Sequence, residues 1–312
     1  MKKFLRNTLL FSLPILIVGC TYMALVEHYA RTKTSFAMKK RFLESNLDSI
    51  EIMVLGSSHT QNAINPSFFR AKKASNMAFG GQPNSINYFI LDKYIDGMKN
   101  LKVVVLEIAS HSFFYDLRPE EWNGHIYSNV YNIDYKVEKY SLKNYSLFYS
   151  CPEFFSNLFK DELDPRSYKL KYNEDGFTVN DFNDRFLSLK YDSLEITKTA
   201  VNPFKYDGAK LKKLNEEFVE KTIERCQKKG VTVILYSPPF YPSLGNKLPK
   251  DVLEYSDSFA NVLCNKYNLK YYDFLFDKRF KVTDFKNDNH LNPTGAEKMT
   301  KIMDSLITNE VK

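Results

Sequence analysis

The chain has 312 residues, which allows one large α/β domain with an anchor or two smaller domains. Its composition is that of a globular protein, and its net charge of +7 comes from basic residues scattered among acidic ones, which argues against nucleic-acid binding. Apart from Cys20, the cysteines are Cys151, Cys226 and Cys264, which allow at most one disulfide and match no zinc-site spacing.

The first fifty residues indicate a membrane anchor. Residues 1–7 carry Lys and Arg side chains, and residues 8–26 contain no charge and are nearly long enough to cross a bilayer as a helix. A positive flank stays in the cytoplasm, so we expect the connector 27–50 and all that follows to lie outside it, in the periplasm or at the surface of a bacterial cell. The sequence ending at Cys20 is similar to a lipobox, and lipidation stays open. The apolar run continues through Val26, which favours an uncleaved helix.

From residue 51 the hydrophobic pattern alternates between short buried strands and amphipathic helices. Residues 102–109 (KVVVLEIA) are a nearly continuous β-branched run, typical of a central parallel strand that is covered on both faces. The last helix begins with an N-cap, Asn292, and a first-turn proline, Pro293. The predicted strands are 51–56, 74–79, 102–109, 231–236 and 269–274, and the other predicted helices are 84–98, 209–229 and 249–267. This order predicts a doubly wound parallel α/β sheet within a domain of residues 51–312.

The alternation is interrupted between residues 111 and 206. This stretch holds about half of the 21 tyrosines, many Asn and Asp residues, and short helical pieces around 137–149 and 153–160. A structureless loop of this length is improbable in a compact domain, so we interpret 111–206 as an insertion that forms a lid with some structure of its own. Its tyrosines either pack inside that structure or form a platform for sugars.

Serine, glycine and histidine residues follow several predicted strands at the point where each strand ends. In an open parallel sheet, ligands bind at the carboxyl ends of the strands. These loops therefore predict one site at one edge of the sheet. The residues concerned are Ser58 after the first strand, Gly80 and Gly81 after the second, Ser110 and His111 after the third, and His290 after the last.

Three segments resemble the SGNH/GDSL hydrolase superfamily, in particular its membrane-anchored bacterial relatives that act on surface polysaccharides. They are GSSHTQNAINPSFF after the first strand, NMAFGGQP after the second and DNHLNPTGAEKMT near the carboxyl end. The resemblance covers residues 51–306 except the insertion. It implies a flavodoxin-like sheet of five parallel strands, no cofactor, and ester chemistry through a Ser-His-Asp arrangement.

The resemblance places the nucleophile at Ser58 and the general base at His290. A serine on a tight turn at a helix entrance also presents its own backbone N–H to a developing oxyanion, which favours Ser58 over Ser57. His290 would accept the Ser58 proton and return it to the leaving group. The alternatives are that both serines only cap the following turn and that His290 is structural. His59, adjacent to Ser58, is expected to point away from the site.

The residue that orients His290 departs from the family pattern. The family acid stands three positions before the histidine, where this chain has Asn287, while Asp288 is only two positions before. An asparagine can hold the imidazole in the right tautomer by accepting its N–H, but it adds no negative charge. We predict that a shift of the loop lets Asp288 serve, with Asn287 as the alternative orienter.

The oxyanion site is predicted from the same resemblance. The family uses a glycine of the second segment, which Gly80 and Gly81 supply, and an asparagine after the third strand, which this chain lacks. Gln82 or Ser110 is expected to donate instead, together with the backbone N–H of Ser58.

These residues predict a serine esterase or O-acyltransferase at the outer face of the bacterial cytoplasmic membrane. Ser58 would carry an acetyl or similar group between an acyl donor or acylated glycan and water or a sugar hydroxyl of a surface or exported polysaccharide. Hydrolysis and transfer stay open. An alternative is a catalytically weak accessory protein that binds glycan or a membrane-bound acyltransferase. A third hypothesis is a metal-dependent hydrolase built on His59, His111 and His290, for which carboxylates at metal-ligand spacing are lacking.

Overall fold

The computed structural model describes residues 1–70, 72–117, 122–137, 140–150, 164, 167–204, 209–245 and 247–310. Two compact units result: Met1–Met38 with Arg118–Lys169, and Lys39–Leu117 with Leu170–Lys312. The insertion expected at 111–206 is therefore divided between the two units. The helical piece expected at 153–160 and Cys151 lie outside the described residues.

The described α-helices are numbered in chain order. They are α1 Lys2–Lys33, α2 Ser35–Ser45, α3 Ser58–Ala63, α4 Asn84–Tyr94, α5 Trp122–Tyr131, α6 Leu147–Ser150, α7 Arg185–Ser188, α8 Ser193–Lys198, α9 Ala209–Lys228, α10 Lys250–Tyr267 and α11 Pro293–Glu310. Turns of 3-10 helix lie at Pro66–Phe68, Ser110–Phe114, Leu142–Asn144, Pro242–Leu244 and Val282–Asp284.

The first unit contains the apolar N-terminal helix. Helix α1 includes the predicted anchor 8–26 and is long and apolar enough to cross a membrane, properties that it shares with signal sequences. Its apolar side chains are largely exposed, as a membrane-spanning helix requires. Beyond the apolar stretch, the Glu27 carboxylate accepts the backbone N–H groups of Leu147 and Phe148, each at 3.1 Å. A carboxylate at this position provides hydrogen-bond acceptors for the start of α6.

The second unit contains the sheet. Its strands are β1 Ile52–Leu55, β2 Ala74–Asn76, β3 Val103–Glu107, β4 Thr232–Ser237 and β5 Lys270–Asp273. They lie in the order β2-β1-β3-β4-β5, and every neighbouring pair is parallel. This is the flavodoxin-like order, so the predicted fold class is confirmed. Strands β1, β2, β3 and β5 are shorter than predicted, most clearly β2, which ends at Asn76 instead of residue 79, whereas β4 has the predicted length and lies one residue later in the chain.

The central strands are buried on both faces. All residues of β1 and β3 are buried, as the continuous hydrophobic run at 102–109 predicted. One face of the sheet and helix α11 share a hydrophobic core cluster, in which Met299, Met303 and Ile307 of the helix are fully buried. Burial of such side chains contributes about 1.5–3 kcal/mol each relative to exposure, which fixes α11 against the sheet.

The start of helix α11 fixes the loop that carries His290. The Asn292 side chain accepts the backbone N–H groups of Thr294 at 3.0 Å and Gly295 at 3.1 Å, which confirms the predicted N-cap. A Cβ at Gly295 would overlap the Asp284 carbonyl oxygen, so only glycine allows this close approach. An antiparallel ribbon precedes the helix, formed by β6 Phe285–Asn287 and β7 His290–Leu291.

Candidate active site

Ser58 and His290, 232 positions apart, meet at the carboxyl edge of the sheet. The Nε2 atom of His290 lies 2.9 Å from the Ser58 hydroxyl oxygen, which is hydrogen-bond distance. Ser58 begins α3 directly after β1, and His290 begins β7 after the last sheet strand. Both residues are only partly buried, which places them at the surface of the sheet edge. This arrangement suits proton transfer from a serine to an imidazole.

The turn that carries Ser58 is bound to a buried carboxylate from the neighbouring strand. Glu107, at the end of β3, accepts the backbone N–H of Ser57 at 2.7 Å, the Ser57 hydroxyl at 2.7 Å and the Thr60 hydroxyl at 2.6 Å. A Cβ at Gly56 would overlap Glu107 and Thr60, so glycine is required where the carboxylate crosses the turn. Ser57 is thereby committed to Glu107, whereas Ser58 faces the imidazole.

Asn287 holds the imidazole from its other side. Its Oδ1 atom lies 3.0 Å from His290 Nδ1 and also accepts the backbone N–H groups of His290 at 3.0 Å and Asn289 at 3.2 Å. An oxygen that receives backbone donors fixes the orientation of the amide, so the Nδ1 atom must carry the hydrogen. The Nε2 atom is then the acceptor that faces Ser58, as a general base requires.

Asp288 does not orient His290, and the predicted loop shift is wrong. Asn287 and His290 are cross-strand partners in the β6–β7 ribbon, whereas Asp288 belongs to the turn between the strands. The Asp288 carboxylate accepts the Ser243 hydroxyl at 2.5 Å and forms an ion pair with Arg185. The ribbon register thus selects Asn287, which was the alternative orienter.

The predicted oxyanion donors separate into available and committed groups. Among the described residues, no hydrogen bond engages the backbone N–H of Ser58 or of Gly80, and a Cβ placed on Gly80 would lie 3.9 Å from the Ser58 Cβ. Gly81 has a φ of +65°, which favours glycine. The Gln82 amide nitrogen donates to the Met77 carbonyl at 3.0 Å and to Asn87 at 2.6 Å, so both of its N–H groups are used and its predicted role is wrong. Ser110 is buried at the start of the turn after β3.

The comparisons with known proteins concern the fold. No protein-family model and no curated protein matches the chain. Among solved structures, a “putative acylhydrolase” from Bacteroides fragilis has a TM-score of 0.44 and 10% identity over 88% of this chain and 97% of its own. A “GDSL-like lipase” from Bacteroides thetaiotaomicron has a TM-score of 0.39 and 12% identity over the same shares of the two chains.

His59 is part of the site, and the expectation that it points away is wrong. Its ring stacks on the His290 ring with centroids 4.9 Å apart and packs edge-on against His111 at 4.1 Å. Its Nε2 atom lies 2.9 Å from the Asn289 side-chain nitrogen, and its Nδ1 atom lies 3.7 Å from a Glu107 oxygen. His59 therefore supports one face of the general base.

This histidine cluster determines which groups are charged. Burial raises the pKa of Glu107, but the hydrogen bond and charge of His59, the charge of His111 and the hydrogen bond of Thr60 outweigh burial and lower the pKa to about 2. Burial and the charge of His59 lower the pKa of His111 to about 3, against the opposing effect of Glu107. Near neutral pH, Glu107 is therefore ionised and His111 is neutral.

One cluster within the described part of the chain has the composition of a metal site. The ligand atoms of His59, Glu107 and His111 lie within 4.8 Å of one another. The Ser57 hydroxyl oxygen occupies the space between them, at 3.2 Å from His59, 2.7 Å from Glu107 and 3.3 Å from His111. A cation there would have to displace this hydroxyl, so the arrangement fits a hydrogen-bonded support for the turn better than a metal centre.

The base itself has a strongly shifted pKa. Burial, followed by the charges of His59, Lys286 and His111, holds the pKa of His290 well below its ordinary value of 6.5. A lowered pKa keeps the imidazole neutral, and therefore able to accept a proton, below pH 6.5. The acid limb of kcat/KM should then lie below pH 6.5.

Replacing Lys286 with methionine should move this acid limb upward. Lys286 forms an ion pair with Asp181, and its removal takes away a positive charge and exposes a negative one, so the pKa of His290 rises toward 6.5. The measurement is the rate of ester hydrolysis as a function of pH. Lys301→Met, which removes a lysine that forms an ion pair with Glu297 of the same helix, is the control and should leave the limb in place. An unchanged limb in Lys286→Met would contradict this electrostatic role.

Proposed function

We propose that the chain is a membrane-anchored serine esterase or O-acyltransferase that acts on acyl esters, acetyl or similar, of a surface or exported polysaccharide. The observation that carries this proposal is the 2.9 Å contact between the hydroxyl of Ser58, a partly buried residue, and the acceptor nitrogen of His290. Helix α1 supports the anchor, and the basic residues before its apolar stretch support an N-terminus in the cytoplasm with the sheet-containing unit on the other side.

The proposed reaction has two halves. In the first, Ser58 Oγ attacks the ester carbonyl, its proton passes to His290 Nε2, and the backbone N–H groups of Ser58 and Gly80 stabilise the oxyanion. His290 then returns the proton to the leaving alcohol as the carbon–oxygen bond breaks. In the second half, His290 takes a proton from water or from a sugar hydroxyl, whose oxygen attacks the acyl-serine carbonyl. The bond between the carbonyl carbon and Ser58 Oγ then breaks, and His290 returns the proton to Ser58 Oγ. Asn287 keeps the imidazole in the required tautomer throughout.

A fluorophosphonate probe tests this function on the full chain in detergent. The probe phosphonylates only a serine whose hydroxyl is activated, so we expect stoichiometric labelling, with the modified peptide mapping to Ser58. Hydrolysis of p-nitrophenyl acetate should be lost in parallel with the labelling. A folded chain that neither reacts with the probe nor cleaves the ester would contradict the proposal and favour the accessory role.

A further inference from the structure

A short segment of the insertion holds the two residues that precede Asn289 and His290. Asp184 accepts a hydrogen bond from the Asn287 side-chain nitrogen at 2.5 Å, and Arg185 forms an ion pair with Asp288. Arg185 also donates to the carbonyl of Ile196 at 2.7 Å. Consecutive side chains of the insertion, Asp184 and Arg185, thus bind consecutive residues, Asn287 and Asp288. We call residues 287–290 the histidine loop. The Asp184 carboxylate therefore contacts the Asn287 amide, which in turn orients His290.

The Asn287 amide can have only one orientation in this environment. Its oxygen faces three N–H groups, two from the backbone and one from the His290 ring, while its nitrogen faces the Asp184 carboxylate. Turning the amide over would set N–H groups against N–H groups on one side and oxygen against oxygen on the other. The carboxylate therefore reinforces the orientation that puts the ring hydrogen on Nδ1.

The Asp184 carboxylate is also held by a contact that is independent of Asn287. Its other carboxylate oxygen caps helix α7 by accepting the backbone N–H of Arg185 at 2.6 Å. One oxygen is used for the helix and the other for Asn287, so the carboxylate has a defined direction. A hydrogen bond with an ionised acceptor is stronger than a neutral one, and it polarises the amide so that the Asn287 oxygen becomes a better acceptor.

We propose that Asp184 is a positioning residue, whose carboxylate acts on His290 through the Asn287 amide. The order is Ser58 hydroxyl, His290 imidazole, Asn287 amide, Asp184 carboxylate, and no proton moves beyond His290. The amide fixes the tautomer, and the carboxylate fixes the amide and supplies the negative charge that favours an imidazolium. This inference rests on the proposed function. It also gives the insertion a direct part in the site, because Asp184 and Arg185 belong to it.

Asp184→Asn is the first test, measured as the second-order rate constant of fluorophosphonate labelling. The new amide can still cap α7, but it then presents N–H groups to the N–H groups of Asn287. That conflict favours a turned Asn287 amide and the wrong His290 tautomer, so we expect labelling to slow by about 10- to 100-fold. Asp192→Asn is the matched control, because Asp192 caps α8 through Leu194 and Glu195. It should label at the wild-type rate.

The exchange of the two side chains separates positioning from simple structural support. In Asn287→Asp/Asp184→Asn, the new carboxylate at position 287 accepts from His290 directly, and the new amide at position 184 donates to it. We expect this double variant to label at least 10-fold faster than Asp184→Asn. Asn287→Asp alone sets two carboxylates against each other and should have a lower melting temperature than the double variant.

The outcomes distinguish this inference from the proposed function. If wild type is labelled at Ser58 but Asp184→Asn labels at the same rate, or if the exchange gives no recovery in a folded double variant, Asp184 is only a helix cap and the inference is overturned. If wild type itself is not labelled, the proposed function fails first. Melting curves of all variants establish that slow labelling is not caused by unfolding.

Discussion

Replacing Ser58 with alanine is expected to abolish fluorophosphonate labelling and to lower kcat for an aryl ester by on the order of 10⁶-fold, to the level of the uncatalysed reaction plus what oxyanion donors alone supply. The reason is that Ser58 carries the hydroxyl whose oxygen lies 2.9 Å from His290 Nε2. The variant should remain folded, because Ser58 is only partly buried and Asn62 binds its carbonyl oxygen rather than its side chain. Gel-based labelling and steady-state kinetics measure both effects.

Ser57→Ala is the matched control for this prediction. It removes the same hydroxyl one residue earlier in the same turn, where it donates to buried Glu107. We expect labelling of Ser58 to persist, while the free energy of unfolding falls by about 1–3 kcal/mol because a buried acceptor loses its partner. Labelling of the Ser58→Ala chain, or loss of labelling in a folded Ser57→Ala chain, would contradict the assignment of Ser58 as the nucleophile.

The part of the fold that depends on local pattern could be predicted. The continuous hydrophobic run at 102–109 identified a central strand, and the Asn292–Pro293 pair identified the start of the last helix, because burial and capping leave direct signals in sequence. Parallel connectivity then required the loops after β1 and after the last strand to open on one edge. The approach of Ser58 and His290 followed from this topology, without any contact being known.

The supporting carboxylates could be predicted only in part. The importance of Glu107 could have been predicted, because a charge inside the apolar run KVVVLEIA must find hydrogen-bond partners when the strand is buried. Asp184 left no such signal, because its role depends on a contact between the insertion and the histidine loop across 103 positions. The choice of Asn287 over Asp288 depended on the register of a short ribbon, which one residue of slip would reverse.

Glu107→Ala is expected to cause the largest loss of stability in the site. The carboxylate is 2% exposed and accepts from two backbone N–H groups and two hydroxyls of the Ser57–Thr60 turn. Its removal leaves several buried donors without their acceptor, which together should cost about 3–5 kcal/mol, a large share of a typical total stability of about 5–15 kcal/mol. Denaturant unfolding of the full chain in detergent measures the loss.

The pH dependence of this loss identifies its cause. The pKa of Glu107 is lowered in the folded chain from 4.5 to about 2, so its ionised form stabilises the fold above pH 4.5, and this contribution is lost as the pH falls toward 2. The difference in the free energy of unfolding between wild type and Glu107→Ala should therefore be constant from neutral pH down to about pH 5, and it should become smaller below pH 5. Glu51→Ala, which breaks the exposed Glu51–Lys102 pair ahead of β1 and β3, should cost at most about 1 kcal/mol. A Glu107→Ala loss as small as this control, or a difference that does not narrow in acid, would mean that the carboxylate is not the ionised centre of the turn.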